Sequence, residues 1–291
     1  MQIFGLLSVP IFFRVALSMC FSMLCILGMS SFAFSQTQTP LTIYFYKPEI
    51  NTARNSVLKS TFDLYLSEHG AYQFQPVDNR EVFETLFKGE EEAVFMMSSR
   101  HYQQLLQQHQ GHISIEGARV GLLGVKGGSD TYRKILVSKT EQVDFTSMNL
   151  ATSATRESSV SLLESEFTGL DIQDTSALNV LVVPKDIDAL MAVGFGLADM
   201  ALTTKSSLEK LSNLYRNQNQ ALYVLAESKP LKRLAVVFRQ GSTEAYKKAL
   251  TIIKQMPQNE QGRRGLNMLG LDDWRLIDES IAREGGMRHG K

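Results

Sequence analysis

The order of the apolar segments is the feature that most constrains the fold of this chain. From Leu41 onward, short runs rich in β-branched and aromatic residues alternate with segments whose apolar residues recur at helical spacing. The first run is Leu41–Tyr46, and the helical pattern after it covers residues 55–69 and stops at Gly70, a residue type that commonly ends helices. Because neighbouring parallel strands need long crossover connections, this alternation predicts an α/β fold with largely parallel sheets.

The alternation runs through the chain in two successive series of similar size. The strand-like segments are residues 41–46, 72–77, 93–97, 118–125, 132–139, 177–183, 198–203, 221–226 and 233–238. The helix-like segments are residues 55–69, 80–88, 100–108, 158–167, 186–193, 206–215, 243–256 and 260–269. Two α/β halves predict a bilobed α/β molecule with a cleft, built from two mixed, mostly parallel sheets, flanking helices and a hinge. We expect lobe one to comprise residues 40–128 and 229–283, lobe two residues 129–228, and a flexible tail residues 284–291.

The first 35 residues form an apolar segment that differs from the rest of the chain. It contains no acidic residue, a single basic residue and the apolar run Val15–Met29. The sequence Ala33-Phe34-Ser35 places small residues around a bulky one, which is the pattern that a signal peptidase cleaves, so we expect cleavage between Ser35 and Gln36. The alternative is an uncleaved membrane anchor, because the segment is apolar enough to span a bilayer. Either alternative exports the remainder of the chain, and we expect it in a bacterial periplasm.

Cysteine content and charge exclude several classes of function. Both cysteines, Cys20 and Cys25, lie in the segment expected to be removed. Disulfides, thiol catalysis and cysteine-based zinc sites are therefore excluded from the exported chain. The 30 Lys and Arg residues balance 30 Asp and Glu residues, whereas a nucleic-acid-binding protein would carry a basic excess, so we expect no nucleic-acid partner.

Four passages, taken in chain order, carry a resemblance to a known family. They are Leu41–Glu49, Lys88–Tyr102, Thr131–Lys139 and Gly262–Trp274. Together they resemble the phosphate/phosphite/phosphonate-type substrate-binding proteins of ABC transporters, which have the type II periplasmic-binding-protein fold. The resemblance implies capture of a small anionic solute, such as a phosphate- or phosphonate-like oxyanion, in an interlobe cleft and its delivery to a membrane permease.

Three positions depart from the pattern of that family. Family members place Gly-Pro after the third strand, where this chain has Ser98-Ser99. Their Ser-Thr-Ser-Gly turn corresponds to Thr152-Ser153-Ala154-Thr155, which lacks the glycine and is followed by Arg156. Asp199 is kept, whereas Thr204 stands where the family often has an acidic residue. The resemblance therefore implies the fold and leaves the identity of the ligand open.

Hydroxyl-bearing side chains near the expected strand ends are the candidates for anion binding. An arginine beside several hydroxyls can also grip a phosphate or carboxylate through two hydrogen bonds. The structural alternatives are helix caps for the serines, packed core aromatics for the tyrosines and a solvated loop for the lobe-two run. The candidates are Tyr46, Ser98, Ser99 and Tyr102 in lobe one, Thr131 and Tyr132 at the hinge, and Ser153, Thr155, Arg156 and Asp199 in lobe two.

Signatures of enzymes and metal sites are not found in the sequence. His109 and His112 are three residues apart, but the sequence fixes no carboxylate near them, so we expect no metal and no cofactor. Residues 124–129 lack the spacing of a nucleotide-binding P-loop. We predict a monomeric, non-enzymatic solute-binding protein whose partner is an ABC permease. The alternative is a binding-protein-like sensor or accessory module that signals to a membrane partner with weak or no ligand binding.

Overall fold

The computed structural model describes residues 40–48, 55–89, 92–108, 117–141, 148–168, 175, 178–214, 222–239 and 244–277. The expected signal segment and the C-terminal tail lie outside these residues, as do His109 and His112. None of the helices in these ranges is long and apolar enough to span a membrane. Residues 40–291 form one compact unit, to which all the described residues belong.

Lobe one, as we use the term from here on, is built on a six-stranded sheet. Its strand order is β13-β4-β12-β3-β1-β2. The strands are β1 (Leu41–Tyr46), β2 (Tyr72–Pro76), β3 (Ala93–Ser98), β4 (Ala118–Val125), β12 (Leu234–Arg239) and β13 (Asp273–Leu276). The helices of this lobe are α1 (Asn55–Ser67), α2 (Arg80–Lys88), α3 (Ser99–Gln108), α7 (Glu244–Gln255) and α8 (Glu260–Leu269).

The β1 strand shows why this sheet is buried on both faces. Successive side chains of a strand point to opposite faces. Leu41, Ile43 and Phe45 accordingly join one core cluster with Phe74 and Trp274, of which Phe74 and Trp274 are 0% exposed. The alternate residues of the strand pack into the second cluster, which contains Phe83, Phe87 and Phe95. The result is a central parallel segment covered by helices on both sides, as the near-continuous apolar runs predict.

Lobe two is built on a five-stranded sheet in the order β10-β6-β9-β7-β8. The strands are β6 (Lys134–Ser138), β7 (Asn149–Thr152), β8 (Asn179–Val182), β9 (Met200–Thr204) and β10 (Tyr223–Glu227). The helices are α4 (Arg156–Glu166), α5 (Asp186–Gly194) and α6 (Lys205–Leu214). Between the two sheets, β5 (Thr131–Tyr132) and β11 (Leu231–Lys232) pair antiparallel and form a two-stranded ribbon. We call this ribbon the hinge, because the chain passes through it on its way into lobe two and on its way back.

The expected α/β architecture with mixed sheets is confirmed, with three differences in detail. Parallel pairing is limited to β1 with β2 and β3, and to β7 with β8 and β9, while the other pairs in both sheets are antiparallel. The segment expected as one strand over residues 132–139 is broken at Arg133, where the chain leaves the hinge for the lobe-two sheet. The pattern also missed β7 and β13, which are four residues long and carry too few apolar positions to show a period.

A close contact at Gly262 gives a test of the packing of α8. A Cβ atom at this position would overlap the backbone oxygen of Met256, so the backbone must shift to accept alanine. We expect Gly262→Ala to lower the free energy of unfolding by about 1–3 kcal/mol in urea denaturation. The matched control is Gly194→Ala in α5, where nothing lies within 4 Å of the added Cβ. That variant should be neutral or slightly stabilising, and equal effects of the two substitutions would contradict the described packing.

Candidate functional site

A cavity with a volume of about 730 Å³ lies between the two lobes. Its walls are formed where strands of both sheets end and helices begin, which is the usual position of ligands in open α/β sheets. From lobe one, Lys47 directly follows β1 and Ser98 is the last residue of β3. From lobe two, Ser153 follows β7 and Thr204 ends β9. The hinge closes the back of the cavity, which we call the cleft.

The cleft concentrates positive charge in a chain that is neutral overall. Among the described residues, nine cationic side chains line it against two carboxylates, an excess of seven positive charges. A cavity with charge of one sign and low-dielectric walls raises the local concentration of counter-ions. The cations are Lys47, Lys126, Arg133, Lys134, Lys185, Lys205, Lys210, Lys232 and Arg233, and the carboxylates are Asp186 and Glu227.

Asp186 is held at the floor of the cleft by three neighbouring strands of lobe two. Lys134, at the start of β6, donates from Nζ to Oδ1 of Asp186 at 2.7 Å. Ser153, just after β7, donates from Oγ to the same oxygen at 2.6 Å. Thr203, in β9, donates to the backbone carbonyl of Asp186 at 2.9 Å. Because Asp186 is also the first residue of α5, its charge is stabilised by the free N–H groups of that helix end.

The Lys134–Asp186 pair is largely withdrawn from water. The side chain of Lys134 is 7% exposed and that of Asp186 is 22% exposed. Burial opposes ionisation of Asp186, but the Lys134 ammonium and the hydrogen bonds from Lys134 and Ser153 outweigh it. The pKa of Asp186 is therefore below its ordinary value, and Lys47, which comes from the opposite lobe, contributes to this lowering. The floor of the cleft is thus a fixed ion pair within electrostatic reach of a cation from the other lobe.

Glu227, the second carboxylate of the cleft, is also paired with cations. Lys205 approaches its Oε2 at 2.7 Å, and Arg133 approaches its Oε1 at 3.5 Å. The hydrogen bond from Lys205 is the main cause that holds the pKa of Glu227 below its usual range. Both carboxylates of the cleft are therefore matched by cations of the protein itself.

Arg233 places a guanidinium group at the hinge side of the cleft. Its Nε donates to the carbonyl of Ser129 at 3.1 Å, and its carbon Cζ lies 5.4 Å from the centre of the Tyr132 ring. These two contacts fix the plane of the guanidinium. Burial lowers the pKa of Arg233, which remains far above neutrality as for any arginine. Within the described part of the chain, its two terminal nitrogens have no hydrogen-bond partner, so the side chain presents a fixed fork of donors.

A second cavity, of about 460 Å³, also lies between the lobes. Its lobe-one wall includes Tyr46 and His101, and its lobe-two wall includes Thr155. His101 is buried, and its Nε2 lies 2.9 Å from Oε1 of Glu84. Burial raises the pKa of Glu84, but hydrogen bonds with Arg80 and His101 outweigh this effect, so the pKa is below its ordinary value. Among the described residues that line this cavity, Arg80 and Arg100 are matched by Glu81 and Glu157, so it lacks the positive excess of the cleft.

Arg100 connects the two lobes at the edge of the second cavity. From α3, its Nη2 donates to the carbonyl of Ser161 at 2.7 Å and to the hydroxyls of Ser161 and Ser165 at 2.8 and 2.9 Å in α4. We expect Arg100→Met to open the ligand-free molecule, because these contacts between the lobes are lost. Small-angle X-ray scattering should show a larger radius of gyration than for the unsubstituted protein. Arg263→Met, on the exposed surface of α8, is the control, and an unchanged radius for both variants would contradict a role in holding the lobes together.

Six of the ten residues singled out by the sequence line one of the two cavities between the lobes. Ser98, Thr131, Tyr132 and Ser153 line the cleft. Ser98 and Thr155 line the second cavity together with Tyr46. Ser98 also accepts a hydrogen bond from the backbone N–H of His101 at 3.2 Å, and Thr155 caps α4 by accepting from Ser158 at 3.3 Å. The expected roles as helix caps and as cavity-lining residues are thus compatible at these two positions.

The structure does not bring the other four candidates to either cavity. Ser99 donates its hydroxyl to the carbonyl of Arg233. Tyr102 is a buried core residue whose hydroxyl donates to Ala118 at 2.9 Å, and burial raises its pKa. Arg156 points its guanidinium to the carbonyl of Leu178. Asp199 accepts from the backbone N–H of Asn149 at 2.9 Å, at the end of the sheet opposite the cleft. The four side chains thus contact protein groups outside the two cavities, and an anion contact at these positions stays a prediction.

Sequence reasoning missed the cations of the cleft and Asp186. The signal was present, since Lys47 directly follows β1 and Lys185-Asp186 directly precedes α5, the positions at which ligand-binding side chains of α/β sheets occur. The zero net charge of the whole chain concealed the local excess. Among the described residues, no group of three or more His, Cys, Asp and Glu side chains is arranged to hold a metal ion.

Comparisons with known proteins identify the fold. A binding-protein component of an ABC phosphonate transporter from Pseudomonas aeruginosa is 13% identical, with a TM-score of 0.57 over 84% of this chain and 84% of that chain. PhnD1 from Prochlorococcus marinus, solved in complex with methylphosphonate, is 13% identical, with a TM-score of 0.57 over 84% of this chain and 98% of that chain. XAC2383 from Xanthomonas citri, solved with ATP, is 14% identical, with a TM-score of 0.53 over 84% and 94%.

This chain shares the fold of these two phosphonate-related structures. The low sequence identities to these structures establish the fold alone. No protein-family model and no curated protein matches the sequence.

Proposed function

We propose that this chain is an exported solute-binding protein that captures a small anion between its lobes. The observation that carries the proposal is the excess of seven positive charges lining an interlobe cleft of about 730 Å³. A molecule that closes about a hinge can bind such a solute by contacts from both walls at once. The ligand then favours the closed state to the extent that it binds this state more tightly than the open one.

The partner and the location follow from the same proposal. We propose that the first 35 residues direct export and that the closed, loaded molecule is recognised by the permease of an ABC transporter in the periplasm. The resemblance to phosphonate-type binding proteins and the fold of the structural neighbours support this partner. A phosphate- or phosphonate-like oxyanion fits the donors present, which are lysine, arginine and hydroxyl groups.

One observation favours a sensor as the second candidate function. Asp186 already provides a carboxylate to Lys134 and Ser153 at the floor of the cleft, at 2.7 and 2.6 Å. Because Lys134 is already paired with a carboxylate of the protein, this part of the cleft is held in place without a ligand. In a sensor, the state of the lobes rather than delivery of the solute would be read by a membrane partner.

A thermal-shift screen of the purified protein tests the proposed function. Phosphate, methylphosphonate, sulfate and malate are compared with glucose, which is neutral and serves as the control. An anion at one hundred times its Kd should add about 2.7 kcal/mol to the free energy of unfolding. The proposal predicts a rise in Tm with at least one anion and none with glucose. An equal response to all five compounds, or no response to any of them, would overturn it.

A further inference from the structure

We infer that the ligand of the cleft is a polyanion with at least two separate anionic groups and no ammonium group. This inference rests on the proposed function and specifies the class of ligand. It depends on three observations, namely the pairing of the two carboxylates, the lysines without a direct ion-pair partner, and the distribution of these lysines over the walls of the cavity.

The first observation is that neither carboxylate of the cleft needs a cation from the ligand. The charge of Asp186 is balanced by Lys134 at 2.7 Å, and Glu227 is approached by Lys205 at 2.7 Å and by Arg133 at 3.5 Å. These are the only carboxylates among the described residues that line the cleft. An ammonium group on the ligand would meet a carboxylate that is already neutralised, with further cations around it. Like charges brought together at such a site cost affinity.

The second observation is that five lysines of the cleft have no direct ion-pair partner among the described residues. Within the described ranges, no carboxylate lies within salt-bridge distance of their ammonium groups, and none of these groups makes a hydrogen bond. The two terminal nitrogens of Arg233 make no hydrogen bond there, although Asp272 and Asp130 lie within electrostatic reach. Four of the five lysines are exposed, so salt screens their mutual repulsion in part, and a ligand that carries several negative charges relieves it further. The five lysines are Lys47, Lys126, Lys185, Lys210 and Lys232.

The third observation is that these cations are spread over all sides of the cavity. Lys47 and Lys126 belong to lobe one, Lys185 and Lys210 to lobe two, and Lys232 to the hinge. The volume of about 730 Å³ lies within the roughly 300–1,000 Å³ typical of sites for drug-sized ligands. A single tetrahedral oxyanion, with its five heavy atoms, would leave most of such a cavity unfilled and most of these cations without a contact. An anion with groups at both ends can do so, and its charge would draw the two lobes towards each other.

Isothermal titration calorimetry with matched probes tests this inference. Tripolyphosphate and citrate represent polyanions, and phosphate represents the single oxyanion. Propylphosphonate and 2-aminoethylphosphonate form an isosteric pair that differs only in the ammonium group. We expect tripolyphosphate or citrate to bind at least tenfold more tightly than phosphate, and 2-aminoethylphosphonate to bind more weakly than propylphosphonate.

Two lysine variants show whether the polyanion binds in the cleft. Lys185→Gln should weaken binding of the preferred polyanion by about tenfold, the loss for one charged contact worth about 1.4 kcal/mol. Lys248→Gln, on the exposed face of α7 and away from the cleft, should leave it unchanged. Equal losses in the two variants would indicate adsorption to surface lysines and would overturn the inference.

The remaining outcomes separate the inference from the proposed function. If phosphate binds within tenfold of both polyanions, the inference of a polyanionic ligand is wrong. It is also wrong if 2-aminoethylphosphonate binds at least as tightly as propylphosphonate. In either case the proposed capture of an anion is still supported. If the folded protein binds none of the five probes, the proposed function fails and the ligand class fails with it.

Discussion

Replacing Lys134 by methionine is expected to lower the free energy of unfolding at pH 7 by about 3–5 kcal/mol, because the substitution leaves a largely buried carboxylate without its cation. The side chain of Lys134 is 7% exposed and its Nζ lies 2.7 Å from Oδ1 of Asp186. Methionine keeps an unbranched apolar stem, so the loss reflects the missing charge rather than a cavity. Urea denaturation measures the effect.

The pH dependence of the same variant gives a signature that a packing defect would not produce. In the unsubstituted protein the pKa of Asp186 is lowered, so the stabilisation from this group is present above its unfolded pKa of about 3.9 and is lost as the pH falls through the folded pKa. In Lys134→Met, burial without the lysine raises the pKa of Asp186. Protonation of Asp186 at acidic pH then removes the unpaired buried charge and reduces the stability loss of the variant. The difference in stability between the two proteins should therefore be large at pH 7 and become smaller towards pH 4.

Two further variants complete the comparison. Adding Asp186→Asn to Lys134→Met should recover part of the lost stability, because the uncompensated charge is removed. Lys248→Met, at an exposed position of α7, should stay within about 0.5 kcal/mol of the unsubstituted protein. A loss of less than 1 kcal/mol for Lys134→Met, or a loss independent of pH, would contradict the described ion pair.

Replacing Arg233 by lysine is expected to weaken anion binding by about 10- to 100-fold, because the charge is kept while the planar fork of donors is lost. The guanidinium is oriented by the carbonyl of Ser129 at 3.1 Å and by the ring of Tyr132 at 5.4 Å. Calorimetric titration with the best-binding anion of the thermal-shift screen measures the change. Arg264→Lys, in an exposed pair with Glu260 on α8, serves as the control. An unchanged affinity in Arg233→Lys would remove this residue from the binding site.

The fold could be predicted from the sequence wherever an element carries its own pattern. The α2 helix, Arg80–Lys88, was predicted with its observed bounds because Phe83 and Phe87 repeat at helical spacing and Gly89 follows them. The β7 and β13 strands were not predicted, because each is four residues long and is stabilised mainly by its neighbours in the sheet. Trp274, which is fully buried in β13, stands between charged residues that mask any alternation.

The candidate site was predictable to a smaller extent. Ser98 and Ser153 were found because hydroxyls at strand ends are a local feature of the sequence. Asp186 and Lys134 were missed because they are 52 residues apart in the chain, and only the pairing of β6 with β9 and of β9 with β7 brings them together. The contact of Arg156 with the carbonyl of Leu178 could not be predicted for a similar reason, because the position of Leu178 depends on the fold.

The distance between the lobes, measured with and without an anion, tests the central claim most directly. Spin labels on cysteines introduced at Gln108 and Glu157, with Cys20 and Cys25 changed to serine, would face each other across the second cavity and outside the cationic cleft. Pulsed electron paramagnetic resonance then reports the distance between the labels. Capture of an anion between the lobes predicts that the tightest-binding anion of the screen shifts the distribution to shorter, narrower distances and that Arg233→Lys reduces this shift. An identical distribution with and without a saturating anion would contradict closure around an anionic ligand.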